Sequence, residues 1–381
     1  MDVSGDAGLR WPAVRIVFRA DASVQIGTGH VMRCLSLADE LTRHGHECRF
    51  VCRKHEGHLG ELIASKGYGL TLLPSSARDK RRTEQDSPEH YALWLGVPWQ
   101  EDARQTLEAV TPLRPEWLVV DHYALDAQWE RAVASATGNI LVIDDLANRA
   151  HDCVMLLDQN LGRSESDYDG LVSGKCQRLI GPRYALLRSE FAEYREQSLN
   201  RRQNPELKRI LISLGGVDRA NVTGEVLEML AESKLPHTTE LDIIMGAAAP
   251  HLSDVRQQAT QLPYKTTVSV SVNDMARRMC LADLSIGAAG GTSWERCCLG
   301  LPAVLVILAE NQVSGARALQ AAGAACVIAD IPELTKMLPP ALNDLATGEA
   351  LRRASQSAAN ITDGLGVKRI TKAMLRSSES D

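Results

Sequence analysis

The feature that most constrains the fold of this chain is an alternation that recurs along its length. A short apolar run is followed by a turn with Gly or Asp and then by an amphipathic stretch, again and again through the 381 residues. Several runs are apolar throughout, as expected of strands covered on both faces, and this predicts parallel α/β structure. The candidate strands are 14–20, 48–53, 70–73, 117–122, 139–145 and 154–158, then RILISLGG, ELDIIMG, TVSVSV, DLSIGA, AVLVIL and CVIAD. The candidate helices of the first half are 30–45, 101–110 and 126–137.

A break in this alternation divides the chain into two domains. Residues 188–207 are mainly polar and have no sustained strand pattern, which predicts a linker. An N-terminal tail (1–13) and a first domain (14–187) precede it, and a second domain (208–381) follows. Both halves begin with a strand, a glycine-rich loop and a helix. The predicted fold class is therefore α/β, with two Rossmann-like domains that face each other across a cleft.

Charge and hydropathy exclude several classes of protein. Lys and Arg number 42 against 48 Asp and Glu, and a net charge of −6 disfavours a nucleic-acid binder with a basic face. The longest strongly apolar stretch, 301–309, is far shorter than the roughly 20 residues that span a bilayer, so no membrane insertion is expected. The first thirteen residues lack the features of a secretory signal, which predicts a cytoplasmic protein. The oligomeric state stays open.

The cysteines indicate neither a disulfide framework nor a metal site. There are nine, and none forms a CxxC pair. Cys48 and Cys52 lie near His46, but on one face of a strand they are more typical of core packing than of a metal site. No cluster of His and carboxylates with ligand spacing lies near the glycine-rich loops of the sequence. We therefore expect no metal and no other cofactor.

The loop after the first strand is the first candidate site. Gly27 and Gly29 precede a helix, where free N–H groups favour anions. A dinucleotide fingerprint would continue with a third glycine at position 32, which is Met32, so NAD binding is not indicated. His30 follows the glycines, and a helix N-terminus favours the neutral imidazole that can accept a proton. The alternatives are that His30 only caps its helix, and that Arg33 binds an anion or pairs with Asp21.

The end of the fourth predicted strand is the second candidate site. It places Asp121 and Tyr123 at a carboxyl-terminal sheet edge, where ligands of open α/β sheets usually bind. Asp121 is predicted to orient His30 or to bind a sugar hydroxyl, with a turn or helix-capping role as the alternative.

Three loops of the second half carry the residues expected of a nucleotide site. Backbone donors there suit a diphosphate, and a carboxylate suits the vicinal hydroxyls of a ribose. The alternative is a tight turn with an exposed Glu. Their convergence on one sheet edge favours the nucleotide. The candidate residues are Gly215, Gly216 and Asn221 in the first loop, Gly290, Gly291, Thr292, Ser293 and Glu295 in the second, and Asn311 and Gln312 in the third.

A set of motifs, each weak alone, together resembles one enzyme family. The motifs are GxGHxxR (27–33), DHYxLDxxWE (121–130), IDDLANR (143–149), GPRYALLRSEF (181–191), SLGG, AAGGTSWE and AENQ. From about residue 15 to about residue 325 the chain resembles the UDP-2,4-diacetamido-2,4,6-trideoxy-β-L-altropyranose hydrolases of pseudaminic acid biosynthesis. The wider group resembles the two-domain GT-B glycosyltransferases, which implies a GT-B-like fold.

The resemblance implies a substrate and roles for individual residues. The substrate is a small-molecule UDP-sugar, and metal-independent hydrolysis releases UDP and the free 2,4-diacetamido sugar with inversion at the anomeric carbon. His30 is the implied base, Asn221 and Glu295 contact the nucleotide sugar, and Asn311 adds a polar contact. Asp121 and Tyr123 are assigned to the sugar.

Two other functions fit the same residues. An inverting GT-B glycosyltransferase would differ only in using an acceptor hydroxyl in place of water. A lipid-acceptor enzyme would show an apolar patch rimmed by basic residues in its first half, and RDKRR (78–82), itself more typical of a solvated loop, is the one candidate segment. A non-catalytic nucleotide-sugar sensor would have no need of His30. Hydrolysis is therefore the leading prediction.

Overall fold

A computed structural model describes residues 13–75, 89–233 and 235–377. The predicted N-terminal tail, except for its last residue, and the RDKRR segment lie outside the described residues. Within these ranges no helix has the length and apolar character required to cross a bilayer.

The chain divides into two compact units. The first unit comprises residues 1–158, 165–179 and 367–381, and the second comprises 159–164 and 180–366. This division differs from the predicted domains in two respects: the second unit already begins before residue 188, and the end of the chain belongs to the first unit.

The first unit contains a sheet whose strand order is β3-β2-β1-β4-β5-β6-β7. The pairs from β3 through β6 run parallel. The strands are β1 (Arg15–Ala20), β2 (Glu47–Arg53), β3 (Gly69–Leu73), β4 (Trp117–Asp121), β5 (Asn139–Ile143), β6 (Met155–Asp158) and β7 (Gln177–Ile180). The helices that follow these strands are α1 (Gly29–Arg43), α2 (Gly60–Ser65), α3 (Glu89–Trp94), α4 (Trp99–Val110) and α5 (Ala127–Val133).

The second unit repeats this arrangement with the strand order β10-β9-β8-β11-β12-β13, in which every neighbouring pair is parallel. Its strands are β8 (Arg209–Ser213), β9 (Glu240–Met245), β10 (Lys265–Val270), β11 (Leu284–Ala288), β12 (Ala303–Val306) and β13 (Ala325–Ile328). Its helices are α6 (Ser189–Arg201), α7 (Val222–Ala231), α8 (Leu252–Ala259), α9 (Met275–Leu281), α10 (Thr292–Cys298), α11 (Val313–Ala321), α12 (Leu334–Leu345) and α13 (Gly348–Ala359). The prediction of two parallel α/β domains is confirmed.

The last element of the described residues is α14 (Gly366–Ser377). Its apolar residues Val367, Ile370, Met374 and Leu375 are buried. From residue 367 onward this helix belongs to the first unit, although it follows the second unit in sequence.

All twelve predicted strands are present; most are apolar runs, and β10 (KTTVSV) instead alternates polar and apolar residues in its second half. Strand β4, for example, is WLVVD and is buried at every position. Strand β7 is missed because its four residues, QRLI, carry two polar side chains and only Leu179 is buried.

The predicted linker 188–207 is instead mostly helical, because α6 occupies 189–201. Its polar residues are not solvated linker residues: Ser198 Oγ and Arg202 Nε donate to the carbonyl of Leu299, at 2.7 and 3.0 Å. Arg202 also donates to the carbonyls of Met279 and Ala282, at the end of α9. The polar side chains that suggested a linker therefore donate hydrogen bonds to the last carbonyls of two helices.

Candidate active site

Both sheets reverse their strand order at one point, between β1 and β4 in the first unit and between β8 and β11 in the second. In open α/β sheets, ligands bind outside the carboxyl ends of the strands at such a switch point. The predicted site residues Gly27 to Arg33 follow β1, and Asp121 ends β4. In the second unit, Gly215 follows β8 and Gly290 follows β11. The predicted loops therefore flank the switch point of each unit.

A His–Asp pair stands at the switch point of the first unit. His30 is the second residue of α1, and its Nδ1 lies 2.5 Å from Oδ1 of the fully buried Asp121. The N-cap position of α1 is Thr28, so the ring does not serve as a helix cap. Gly27 permits the turn into α1 because its φ is +80°, a conformation that favours glycine.

Asp121 holds His30 in one tautomer. Burial opposes ionisation of Asp121, but the charge of Arg33 and the His30 ring outweigh it and hold the pKa of this carboxyl well below its ordinary range. An ionised carboxylate only accepts hydrogen bonds, so Nδ1 of His30 carries the proton and donates it. Nε2 is then the nitrogen that can accept a proton, as in a hydrolytic His–Asp pair.

Arg33 pairs with different carboxylates from the one predicted. Its Nε and Nη2 donate to Asp121 at 2.6 and 2.7 Å, and its Nη1 donates to Asp145 at 2.7 Å. The alternative that Arg33 pairs with Asp21 is wrong, because Asp21 is held by Arg19. Both carboxylate oxygens of Asp121 accept hydrogen bonds from His30 or Arg33, and the side chain is fully buried. These contacts favour the predicted role of orienting His30 over direct contact with a sugar.

An aromatic cluster, which we define as Tyr91, Trp94 and Tyr123, lies beside His30. Tyr123 meets the His30 ring edge to face at 4.7 Å, and its hydroxyl donates to Asp145 at 2.8 Å. Trp94 stacks on Tyr123 at 5.7 Å, and Tyr91 meets Tyr123 at 5.1 Å. The sequence predicted Tyr123 but missed Tyr91 and Trp94, because they lie on α3, a six-residue helix with no glycine loop or sheet edge to mark it.

Buried charges fix the start of the His30 loop. Asp21 directly follows β1 and accepts from Arg19 Nη1 at 2.7 Å and from the backbone N–H of Arg53 at 2.6 Å. Asp102 accepts from Arg19 and Arg53, and also from the indole of Trp129 at 3.0 Å. All five side chains are buried. The sequence does not reveal this network, because its members come from four different elements.

In the second unit, a carboxylate of the loop after β8 already accepts hydrogen bonds from the helix that follows the loop. Asp218 accepts from the N–H groups of Val222 and Thr223, both at 2.9 Å, so the first turn of α7 already has an acidic cap. Asn221 has a φ of +55°, and its Oδ1 is buried without a hydrogen-bond partner. Any anion at this loop would therefore be met by the exposed Gly215 and Gly216 and not by the first turn of α7.

The other two predicted loops of this unit meet. A Cβ added at Gly290 would lie 3.8 Å from Nε2 of Gln312, whose Oε1 accepts from the N–H of Leu308 at 3.0 Å. Asn311 is exposed beside it, as is Gly291. Thr292 begins α10. The structure thus brings the AAGGTSWE and AENQ segments together.

Two polar side chains of α10 are affected by burial. Burial raises the pKa of Glu295 to about 7, against the opposing charges of Arg188 and Arg296, although 19% of the side chain is exposed. Ser293, two residues earlier, is buried and its hydroxyl has no hydrogen-bond partner. Carboxyl groups shifted in this way concentrate at functional sites. Among the described residues, no group of three or more His, Cys, Asp or Glu is arranged to hold a metal ion.

The chain is similar to a glycosyltransferase domain family and to a UDP-sugar hydrolase. Residues 211–372 match the glycosyltransferase family 28 C-terminal domain. The UDP-2,4-diacetamido-2,4,6-trideoxy-beta-L-altropyranose hydrolase of Campylobacter jejuni is 29% identical over 247 residues, which are 65% of this chain and 74% of that protein. The resemblance that the motifs predict is confirmed by this relative.

A second group of similar proteins consists of transferases. The UDP-N-acetylglucosamine--N-acetylmuramyl-(pentapeptide) pyrophosphoryl-undecaprenol N-acetylglucosamine transferase of Bacteroides fragilis is 26% identical over 348 residues, 87% of this chain and 88% of that protein. The solved structure of Acinetobacter baumannii MurG has a TM-score of 0.66 at 15% identity and covers 96% of this chain and 100% of its own. The predicted GT-B-like fold class is confirmed by this likeness together with the two parallel sheets.

Proposed function

We propose that the protein hydrolyses a UDP-linked 2,4-diacetamido-2,4,6-trideoxy sugar of the β-L-altropyranose series. The products are UDP and the free sugar, with inversion at the anomeric carbon. The observation that carries the proposal is the pairing of His30 with buried Asp121 at the switch point of the first unit. The hydrolase relative from C. jejuni supports the choice of substrate.

In this proposal His30 is the general base. Its Nε2 takes a proton from water as the water oxygen bonds to the anomeric carbon. The bond between that carbon and the diphosphate oxygen breaks, and UDP leaves with its electron pair. Asp121 keeps Nδ1 protonated and stabilises the imidazolium that forms. Tyr123 packs on the ring and limits its rotation.

The second unit is proposed to bind UDP. The residues assigned to the nucleotide are those of the loops after β8 and β11, together with Asn311 and Gln312. Glu295 accepts hydrogen bonds from the two ribose hydroxyls. Backbone N–H groups of Gly215, Gly216 and the Gly290 to Ser293 loop meet the diphosphate, so the reaction is proposed to need no divalent metal.

The test is incubation of the protein with the UDP-sugar in the absence of an acceptor. Wild-type protein should release UDP and a reducing sugar in equal amounts, and His30→Asn should lower kcat by about 10² to 10⁴. Because UDP is assigned to the other unit, its Kd, measured by calorimetry, should be unchanged in this variant. Turnover of His30→Asn at the wild-type rate would remove His30 from the mechanism.

An inverting glycosyltransferase is the second candidate. It is supported by the B. fragilis transferase, which matches 87% of this chain. The same assay separates the two functions, because a transferase would release UDP only after an acceptor is added. UDP release that depends on an acceptor would favour the transferase over the hydrolase.

A further inference from the structure

Arg296 is a buried cation whose hydrogen-bond partners are all neutral. Its side chain belongs to the fifth residue of α10 and is 2% exposed. The guanidinium donates to Ser285 Oγ at 3.0 Å, to the Ala288 carbonyl at 3.1 Å and to the Ser213 carbonyl at 3.5 Å. No carboxylate of the described residues forms an ion pair with it within 4.0 Å. The guanidinium therefore has neutral hydrogen-bond partners, and the carboxyl of the preceding residue, Glu295, acts on it through space without forming an ion pair.

The guanidinium lies where two loops begin. Ser213 is the last residue of β8 and Ala288 is the last residue of β11. These strands are neighbours on either side of the switch point. The guanidinium thus contacts the roots of both glycine-rich loops of this unit.

The sequence leaves space for this charge. A Cβ at Gly287 would lie 2.0 Å from Nη2 of Arg296 and 2.6 Å from the Ser213 carbonyl. Any larger residue at 287 would displace the guanidinium or separate β8 from β11.

Such a charge is costly to bury. Burial lowers the pKa of Arg296 to about 10, so the side chain remains charged at neutral pH. An apolar residue of similar size would fill the same space without that desolvation cost. The guanidinium donates to the last carbonyls of β8 and β11, from which both glycine-rich loops start, and an anion bound at those loops would offset the cost of burying it.

We propose that Arg296 is a positioning residue that supplies positive potential to the loops after β8 and β11, and so selects a nucleoside diphosphate over the uncharged nucleoside. The inference rests on the proposed binding of UDP by the second unit. The partnerless, buried Ser293 hydroxyl, in the first turn of the helix that follows the second of these loops, is an independent sign of a polar ligand there. In low-dielectric surroundings one buried charge acts over several ångströms without direct contact.

The test compares UDP with uridine. In Arg296→Met the Kd of UDP should rise about tenfold or more, while the Kd of uridine stays within about twofold, because uridine carries no phosphate. Arg296→Gln keeps hydrogen-bond donors but loses the charge, and it should change the two dissociation constants in the same way. It replaces the Met variant in the test if that variant does not fold. Both dissociation constants are measured by calorimetry at one ionic strength.

Arg202 provides a matched control. It is likewise buried, donates only to carbonyls, and has a pKa that burial lowers to about 10, but those carbonyls belong to the ends of α9 and α10. Arg202→Gln should leave the ratio of UDP to uridine affinity unchanged. An unchanged ratio in both Arg296 variants would overturn this inference but not the proposed function. A wild-type protein that binds neither ligand would overturn it together with the proposed function.

Discussion

Replacing Glu295 by glutamine should make the protein more stable at pH 8, even though Glu295 is assigned to the site. Burial raises the pKa of this carboxyl from an ordinary value of 4.5 to about 7 in the folded protein. Between these two pH values the folded state binds more protons than the unfolded state. The free energy of unfolding contributed by Glu295 therefore falls as the pH rises from 4.5 to 7 and stays low above it. Glutamine carries no charge at any of these pH values.

The size of the effect follows from that difference in pKa. At 1.36 kcal/mol for each pKa unit, the upper limit is about 3 kcal/mol. Since 19% of the side chain is exposed, water reduces the penalty, and we expect a gain of about 1 to 3 kcal/mol at pH 8. For a unit of this size, each kcal/mol moves Tm by about 2 to 4 °C.

The assay is thermal unfolding of wild type and Glu295→Gln at pH 4.5 and pH 8, without and with saturating UDP. The variant should unfold at a higher Tm than wild type at pH 8, and the difference should be small at pH 4.5. Saturating UDP should reduce this difference at pH 8, because loss of the carboxylate weakens ribose binding by about 1 to 3 kcal/mol, which is as large as the gain.

The control is Glu349→Gln, which makes the same change at an exposed Glu in the first turn of α13. It should not stabilise the protein at either pH. A Glu295 variant that is no more stable than wild type at pH 8 would show that the carboxyl is not destabilised by burial.

Three further predictions concern the proposed reaction. Asp121→Asn should lower kcat by about 10² to 10⁴, because the imidazolium of His30 loses its counter-charge, and should leave the Kd of UDP unchanged. Steady-state UDP release measures kcat, and a near-normal value would contradict the prediction. Trp94→Ala should raise KM about two- to tenfold by releasing Tyr123, with little change in kcat, and initial rates at varied substrate test it. EDTA should leave turnover intact; activity lost with EDTA and restored by Mg²⁺ would refute the metal-independent proposal.

The fold was largely predictable because its signal is local. The sheets consist of apolar runs such as WLVVD, and every predicted run forms a strand. The errors occur where polar side chains act as structural donors. In α6, Ser198 and Arg202 bond to distant carbonyls, and a sequence shows only that these residues are polar.

The candidate sites were predictable to the level of loops but not of partners. The glycines around His30 mark the loop, and the sheet edge marks Asp121. That Arg33 binds Asp121 and Asp145 depends on residues 88 and 112 positions away in the chain. Asp218 caps α7 where backbone donors were expected to meet a phosphate. Its contacts are local, but the sequence does not distinguish an aspartate that forms a turn from one that caps the next helix.

The return of α14 to the first unit affects how the chain folds as it is synthesised. All residues of the second unit are made before residue 367, whereas the unit that carries His30 still lacks this helix. The first unit can therefore complete its folding only after the second unit has been synthesised, at about 5 to 20 residues per second. A nonsense mutation just before α14 would spare the entire second sheet and instead remove from the first unit a helix whose Ile370 and Met374 are buried.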